Sequence, residues 1–259
     1  MTAAIIVADR LERRGAMEQT RRKRVLNAGS GPASRERLRE FFPSIEFLEV
    51  RMDIDPATRP DLVGSFADMR ELVADASFEA VWSSHSLEHL HAHEALPALA
   101  EFRRVLRADG FAVVTCPDVA AVAKLLTEHD LDHVAYTSPA GPIRIHDMLY
   151  GHGPSVEAGR AHMAHKTGFT AARLGRLATQ AGFAEARVYE GGQYDLWAAL
   201  LTPETDRREL ARRFAKTRIA GLFDLDEGEF EDDERAGGWQ SHVRRRVNPA
   251  PRSAGTMAR

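Results

Sequence analysis

Apolar residues fall along this chain in short continuous runs, separated by stretches where they recur every three or four positions. Arg24–Ala28, Glu46–Ile54, Leu62–Phe66, Phe78–Ser83 and Phe111–Cys116 are extended and mostly apolar, the pattern of strands buried on both faces. Between them, Ala33–Phe42 predicts a helix with Ser34 as N-cap. His93–Leu106 predicts another, with Leu96, Leu99, Phe102, Val105 and Leu106 at helical spacing and the glycine of Asp109-Gly110 as its stop. Pro117 ends the strand after it. Strands alternating with helices imply an α/β fold, a doubly wound and mostly parallel sheet with helices on both faces.

After Pro117 the rhythm breaks. Val119–Glu128 predicts a helix, and the stretch after it is rich in His, Gly, Pro and Tyr. Residues 117–168 therefore read as an irregular insertion, a substrate lid. Thr170–Ala181 predicts a helix ending at Gly182. Ala186–Glu190 and Leu196–Leu201, joined through Gly191-Gly192-Gln193-Tyr194, predict a closing hairpin. The expected organisation is a charged helical lead-in over 1–22, one domain over 23–202, and a peripheral charged extension over 203–259. Within the extension Asp206–Arg218 predicts a helix, Asp224–Glu234 is acidic, and the stretch from Pro249 to Arg259 is expected to be disordered.

Composition narrows the partners. Apolar residues make up 44% of the chain and charged residues 28%, enough for a full core and ordinary for a soluble protein. A net charge of −3 gives no global drive toward nucleic acid or anionic lipid. The lead-in is basic (Arg13, Arg14, Arg21, Arg22, Lys23, Arg24), but the tail is acidic and no series of stacking aromatics is visible, so nucleic acid is not an expected partner. Cys116 is the single cysteine, which rules out an internal disulfide and fits a reducing cytoplasm. It is expected to be a small core residue rather than a catalytic thiol. No run approaches the roughly 20 apolar residues of a membrane span. Ala3 to Ala8 is shorter than a secretory core and is followed by Asp9 and Glu12. Neither membrane nor export is expected.

The first chemical feature is the turn Asn27-Ala28-Gly29-Ser30-Gly31 between a strand and a helix. Glycines there let backbone approach a ligand closely, and a helix N-terminus adds free N–H groups. A dinucleotide turn wants a third glycine. Ser34 stands in its place, which disfavours nicotinamide or flavin. The second feature is an acid at the end of the next strand, in Met52-Asp53-Ile54-Asp55-Pro56, where nucleoside-binding α/β folds hold ribose hydroxyls. Only one of Asp53 and Asp55 is expected to reach the ribose. Asp53, at the strand end proper, is the expected one.

These motifs resemble those of class I S-adenosylmethionine-dependent methyltransferases. Val25 to Gly31 is similar to the glycine motif, and Asp53-Ile54-Asp55-Pro56 to the ribose acid. Gly64-Ser65-Phe66-Ala67-Asp68-Met69 is similar to the segment beside the adenine, where an acid receives the exocyclic amine. Ala80 to Leu90, ending Leu-Glu-His-Leu, resembles the fourth-strand motif, and Phe102 to Phe111 the helix-to-strand motif. Gly168-Phe169-Thr170, then Leu174, Leu177 and Ala181-Gly182-Phe183, resembles the late helix and its exit. The resemblance runs in order over residues 24–202 and is nearest to the broad bacterial group with the methyltransferase type 11 domain. It departs at Asn27, where the family has an acid that helps hold the methionine amine, and at Ala33, where the family has its last glycine.

The resemblance implies a Rossmann-like sheet of seven strands with a terminal antiparallel hairpin. It implies S-adenosyl-L-methionine as cofactor and S-adenosyl-L-homocysteine as product. The expected cofactor residues are Asn27, Ala28, Gly29, Gly31, Asp53, Ile54, Asp68, Met69, Ser83 and Ser84. His85, just past the fourth strand, is the candidate acid/base and pocket residue. His146, Tyr150, His162 and His165 are candidate substrate contacts, whereas His89 and Tyr194 are expected to be structural. The histidines of the insertion, with Asp147 and His152, match no ligand spacing, so no metal is expected. The expected activity is methyl transfer to a small molecule. The alternatives are a non-catalytic S-adenosylmethionine-binding module, motivated by Asn27, and a methyltransferase acting on protein or RNA.

Overall fold

The computed structural model describes residues 22–32, 38–43 and 46–224. The expected lead-in helix, the cap at Ser34 and nearly all of the acidic tail lie outside these residues. Three parallel strands form the centre. β1 (Lys23–Ala28) pairs with β2 (Phe47–Asp53) on one side and β4 (Phe78–Ser84) on the other, and the short β3 (Leu62–Val63) pairs with the outer edge of β2. β4 pairs in parallel with β5 (Leu106–Pro117). Two further strands, β8 (Glu185–Glu190) and β9 (Asp195–Leu201), complete the sheet, with β9 inserted antiparallel between β5 and β8. The order is β3-β2-β1-β4-β5-β9-β8, a seven-stranded sheet that is parallel but for β9. Sequence alternation and the hairpin signature foretold this arrangement.

Each face carries its own core. On one face Leu26, Val50, Val81, Ala112 and Val114 meet α1 (Ala95–Val105) and, later in the chain, a helix over Ala171–Gln180. Thr170 caps that later helix, accepting the N–H of Arg173 at 3.3 Å. On the other face Val25, Phe47, Trp82, Phe111 and Val113 meet Phe42 and a helix over Arg207–Phe214 with the turn Ala220–Phe223. Phe214 touches the rings of Phe42, Phe47, Phe111 and Phe223. Arg187 is buried on this face, its guanidinium donating to Tyr189 Oη at 2.9 Å and to the carbonyl of Asp224 at 2.9 Å. Residues 207–223 are thus part of the core, against the expectation that everything after 202 is peripheral. The reason is local. The helix Arg207–Phe214 is charged except for Leu210, Ala211 and Phe214, and Leu210 and Phe214 lie one turn apart on the face that meets the sheet.

Other expectations change in detail. α1 stops at Val105, and Leu106–Pro117 is continuous strand, so Gly110 does not cap a helix. Its backbone is not left-handed. A Cβ there would come within 3.1 Å of the carbonyls of Arg107 and Glu79, where the β4–β5 register shifts, so glycine serves close packing. Leu62–Phe66 forms strand only over two residues, because Gly64 turns the chain and donates to the Asp53 carbonyl. Leu38–Glu40, within the expected first helix, is a single 3-10 turn.

The insertion is structured. It holds α2 (Val119–Leu125), a hairpin of β6 (Val134–Ser138) and β7 (Gly141–Arg144), α3 (Ile145–Tyr150) and α4 (Gly153–Glu157). It leaves and returns at one point, where Asp118 bridges to Phe169. α5 is the helix Ala171–Gln180 and α6 the helix Arg207–Phe214. Among the described residues no helix is long and apolar enough to cross a membrane. Phe214→Ala should destabilise the protein by about 3–5 kcal/mol, as for a buried Phe with no freedom to collapse. Chemical denaturation measures this, and a loss below about 1 kcal/mol would mean that α6 is not part of the core.

Candidate functional site

The carboxyl edge of β1 and β2 is built around one carboxylate. Asp53 ends β2 and is almost fully buried. Its Oδ2 accepts the Gly31 N–H at 2.7 Å and its Oδ1 the Asp55 N–H at 2.9 Å. Gly29 and Ser30 donate to the Met52 carbonyl, so the glycine turn folds back over the end of β2. Both glycines are left-handed, at φ 75° and 61°. A Cβ on Gly29 would sit 2.2 Å from Ser86 Oγ, whereas one on Gly31 would meet nothing within 4 Å. Gly29 is required by packing, and Gly31 leaves its backbone open. Arg51, which sequence reasoning missed, clamps the turn from the side, donating to the carbonyls of Gly31, Thr58 and Arg59.

The second element is the turn after β4. His85 has a left-handed backbone, φ 49°, strained for a non-glycine residue. That conformation swings the chain into the 3-10 turn Leu87–His89. His85 is half-exposed and lies between two carboxylates, with Nδ1 3.5 Å from Glu88 and Nε2 4.0 Å from Asp195. Burial works against the imidazolium, but Glu88 and then Asp195 outweigh it and raise the pKa of His85. Glu88 is buried, and neither of its oxygens accepts a hydrogen bond among the described residues. Burial pushes its pKa up, and the imidazole of His85, with the charges of His89 and His165, more than reverses this and holds it low. Asp195 is oriented by Trp197 Nε1 at 2.8 Å.

The third element is the insertion. A cavity of about 320 Å³ lies between the turn after β4 and the insertion, lined by Glu88, Pro117, Met148, Tyr150, His165 and Lys166 among others. The segment 163–167 straps it in place. Lys166 and Thr167 donate their N–H groups to the Glu88 carbonyl, and His165 N–H donates to Tyr150. His165 Nδ1 lies 3.0 Å from the Met148 carbonyl, and His89 Nδ1 lies 3.2 Å from that of Ala164. Burial depresses the pKa of His165.

Of the expected substrate residues, Tyr150 and His165 line this cavity and His85 stands beside its Glu88 wall. His146 is on the exposed side, against the Tyr150 ring. His162 reaches elsewhere, 3.9 Å from Asp55 at the end of β2. Asp147 and His152 serve local structure, holding the N–H groups of Arg144 and Gly153 and the hydroxyl of Ser155. Of the expected cofactor residues, Asn27 donates to Glu49 at 2.7 Å, and the Ala28 side chain is buried in the core. Asp68 is exposed, and its hydrogen bonds to the Arg70 guanidinium lower its pKa to about 2. Met69 is buried and gives its N–H to Glu101 at 2.6 Å. Ser83 is buried, its hydroxyl unpaired among the described residues, and Ser84 bonds Thr115 at 2.9 Å. Burial drives the Cys116 thiol well above its ordinary pKa. Glu88 and Asp195 were not singled out from sequence. The one hint was a glutamate set among apolar residues in Leu-Glu-His-Leu.

Parallel strands ordered 3-2-1-4-5, closed by an antiparallel strand and with the glycine turn at their carboxyl edge, are the class I methyltransferase architecture. The family model of the methyltransferase domain matches residues 45–114, from β2 through most of β5. That match and the strand order agree on a methyltransferase-type fold. No curated protein matches it. Similar solved structures include the PH0226 protein of Pyrococcus horikoshii OT3, at 16% identity and a TM-score of 0.48 over 76% of this chain and 87% of that one. A S-adenosylmethionine-dependent methyltransferase of Archaeoglobus fulgidus matches at 12% and 0.48 over 78% and 95%. The 1,6-didemethyltoxoflavin-N1-methyltransferase of Burkholderia thailandensis, with bound 1,6-didemethyltoxoflavin and S-adenosylhomocysteine, matches at 18% and 0.41 over 79% and 77%.

Gly29→Ala should cost about 2 kcal/mol or more, since it adds left-handed strain to an overlap with Ser86. Adding Ser86→Gly should restore only part of the loss. Full recovery in thermal melts would show that the overlap alone matters.

Proposed function

We propose that this chain transfers the methyl group of S-adenosylmethionine to a small-molecule acceptor held in the 320 Å³ cavity. The observation that carries the reading is the carboxyl edge of β1 and β2, where two left-handed glycines meet the buried carboxylate of Asp53. The residues fit the cofactor. Backbone at Gly31 is open to close approach. Asp53 accepts two N–H groups and, with about four lone-pair sites on a carboxylate, keeps capacity for ribose hydroxyls. Ile54 is 59% exposed and Val63 is 50% exposed, which offers apolar surface for a flat base at the strand ends. Asp68 can share its carboxylate between Arg70 and an exocyclic amine, while Met69 contributes shape, its N–H being taken by Glu101. Asn27 lacks the family's charge, but Glu49 sits on its amide and supplies a carboxylate next to it. Ser83 and Ser84 form the edge of β4 between the cofactor turn and His85.

When bound, the cofactor supplies a methyl group already activated on a sulfonium. The chain's own work is to align the acceptor and exclude water. The strap 163–167 and α3 wall the cavity, with Tyr150, His165 and Lys166 facing an acceptor. His85 is placed to take a proton from an acceptor that has one to lose, and Glu88 and Asp195 stabilise the imidazolium so formed. His162 closes over the cofactor end beside Asp55. A non-catalytic binding module is the second reading, favoured by Asn27, whose amide is committed to Glu49.

Calorimetric titration should show S-adenosylmethionine and S-adenosylhomocysteine binding, and no heat at millimolar cofactor would sink the reading. Asp53→Ala should weaken that binding tenfold or more, since hydrogen bonds to a charged group are worth about 1.5–3 kcal/mol. Asp55→Ala should weaken it less, and the reverse order would transfer the ribose to Asp55. A screen of small molecules for uptake of labelled methyl identifies acceptors. On such an acceptor, His85→Ala should lower turnover while leaving cofactor affinity within about twofold. Unchanged turnover removes His85 from the chemistry, and no methyl uptake by the wild type favours the binding module.

A further inference from the structure

Glu88 is a carboxylate enclosed by protein with no hydrogen bond to either oxygen among the described residues. A buried ionised carboxylate costs several kcal/mol unless a cation or donors meet it. The groups around it are imidazoles, His85 among them with Nδ1 3.5 Å from Oε1. One ligand atom from each of Glu88, His89 and His165 lies within 4.8 Å of the others. The two rings meet edge to face, with centroids 4.9 Å apart. Each histidine has its Nδ1 on a backbone carbonyl, of Ala164 for His89 and of Met148 for His165. A carbonyl only accepts, so Nδ1 carries the proton and Nε2 keeps its lone pair. That outer hydrogen bond is what fixes tautomer and ring orientation in metal-bound histidines.

We propose that Glu88, His89 and His165 bind a divalent first-row metal ion of the zinc class. Two imidazoles and one carboxylate are the donor set of open zinc and non-haem iron sites. Tetrahedral zinc with bonds of about 2.1 Å needs ligand atoms about 3.4 Å apart, so the three groups close in by about an ångström on binding. The strap already holds them together. Lys166 and Thr167 donate to the carbonyl of Glu88 itself, and His165 N–H donates to Tyr150. Glu88 and His165 line the cavity, so the fourth position faces it and takes water or an oxygen, nitrogen or sulfur atom of whatever the cavity holds. The inference rests on ligand geometry and not on the methyl-transfer reading.

The test uses the tag-free full chain, stripped with a chelator and titrated with zinc against a chromogenic competitor. One zinc per chain is expected, at sub-micromolar dissociation constant. E88Q and H165A should each weaken binding by about 100-fold or more, whereas a His91→Ala, His93→Ala double variant, which removes an exposed stacked pair, should leave it intact. Cobalt(II) gives a readout that needs no variant, because a bound four-coordinate ion absorbs far more strongly in the visible than the hydrated one. No stoichiometric zinc, zinc binding unmoved by E88Q and H165A, or cobalt that keeps its hydrated spectrum would each overturn the proposal. None of these results bears on whether S-adenosylmethionine binds, which the calorimetry above decides separately.

Discussion

Two backbone N–H groups, one from the turn after β1 and one from the turn after β2, end on the carboxylate of Asp53. The edge of the sheet depends on this. Without it the glycine turn would have the Met52 carbonyl and Arg51 to hold it, and the N–H of left-handed Gly31 would lose its acceptor. Each such bond to a charged acceptor is worth about 1.5–3 kcal/mol, enough to choose one loop conformation among several. The carboxylate does this from a nearly buried position while one neighbour, Ile54, stays exposed. The same residue therefore fixes the turn and presents the strand end at which a nucleoside can be met.

A second buried carboxylate organises the opposite side of the site by different means. Among the described residues no backbone N–H holds the Glu88 carboxylate, and its low pKa comes from imidazoles. Its own carbonyl, by contrast, is doubly bonded by the strap. One residue thus joins the turn after β4 to the far end of the insertion through its backbone, and gathers three histidines through its side chain. The strained backbone of His85 is affordable because both of its flanks are fixed, Ser84 by Thr115 and Ser86 by the Gly29 and Ser84 carbonyls.

The strands of the sheet were legible because each is a continuous apolar run flanked by breakers, and so was the hairpin at Gly191 to Tyr194. The turn at Gly29 was legible too, since both a left-handed backbone and close packing against Ser86 require glycine there. Gly110 misled because the same residue type serves a close strand approach as readily as a helix end. The helix Arg207–Phe214 looked like solvated surface because Leu210 and Phe214, with small Ala211 beside them, suffice to seat it. The histidine cluster was illegible for a topological reason. His89 precedes the insertion and His165 lies near its far end, where the insertion returns to its starting point, and no spacing along the chain encodes that return.

The covering of the second sheet face bears on where this chain could be divided. By its motifs the domain ends near Thr202. A cut there would strip Trp82, Phe111 and Val113 of Leu210, Phe214, Ile219, Leu222 and Phe223, and would leave the buried guanidinium of Arg187 without the Asp224 carbonyl. An aromatic sheet face opened to water is an adhesive surface. The shortest soluble fragment of this protein therefore extends to about residue 224, beyond the last recognisable motif.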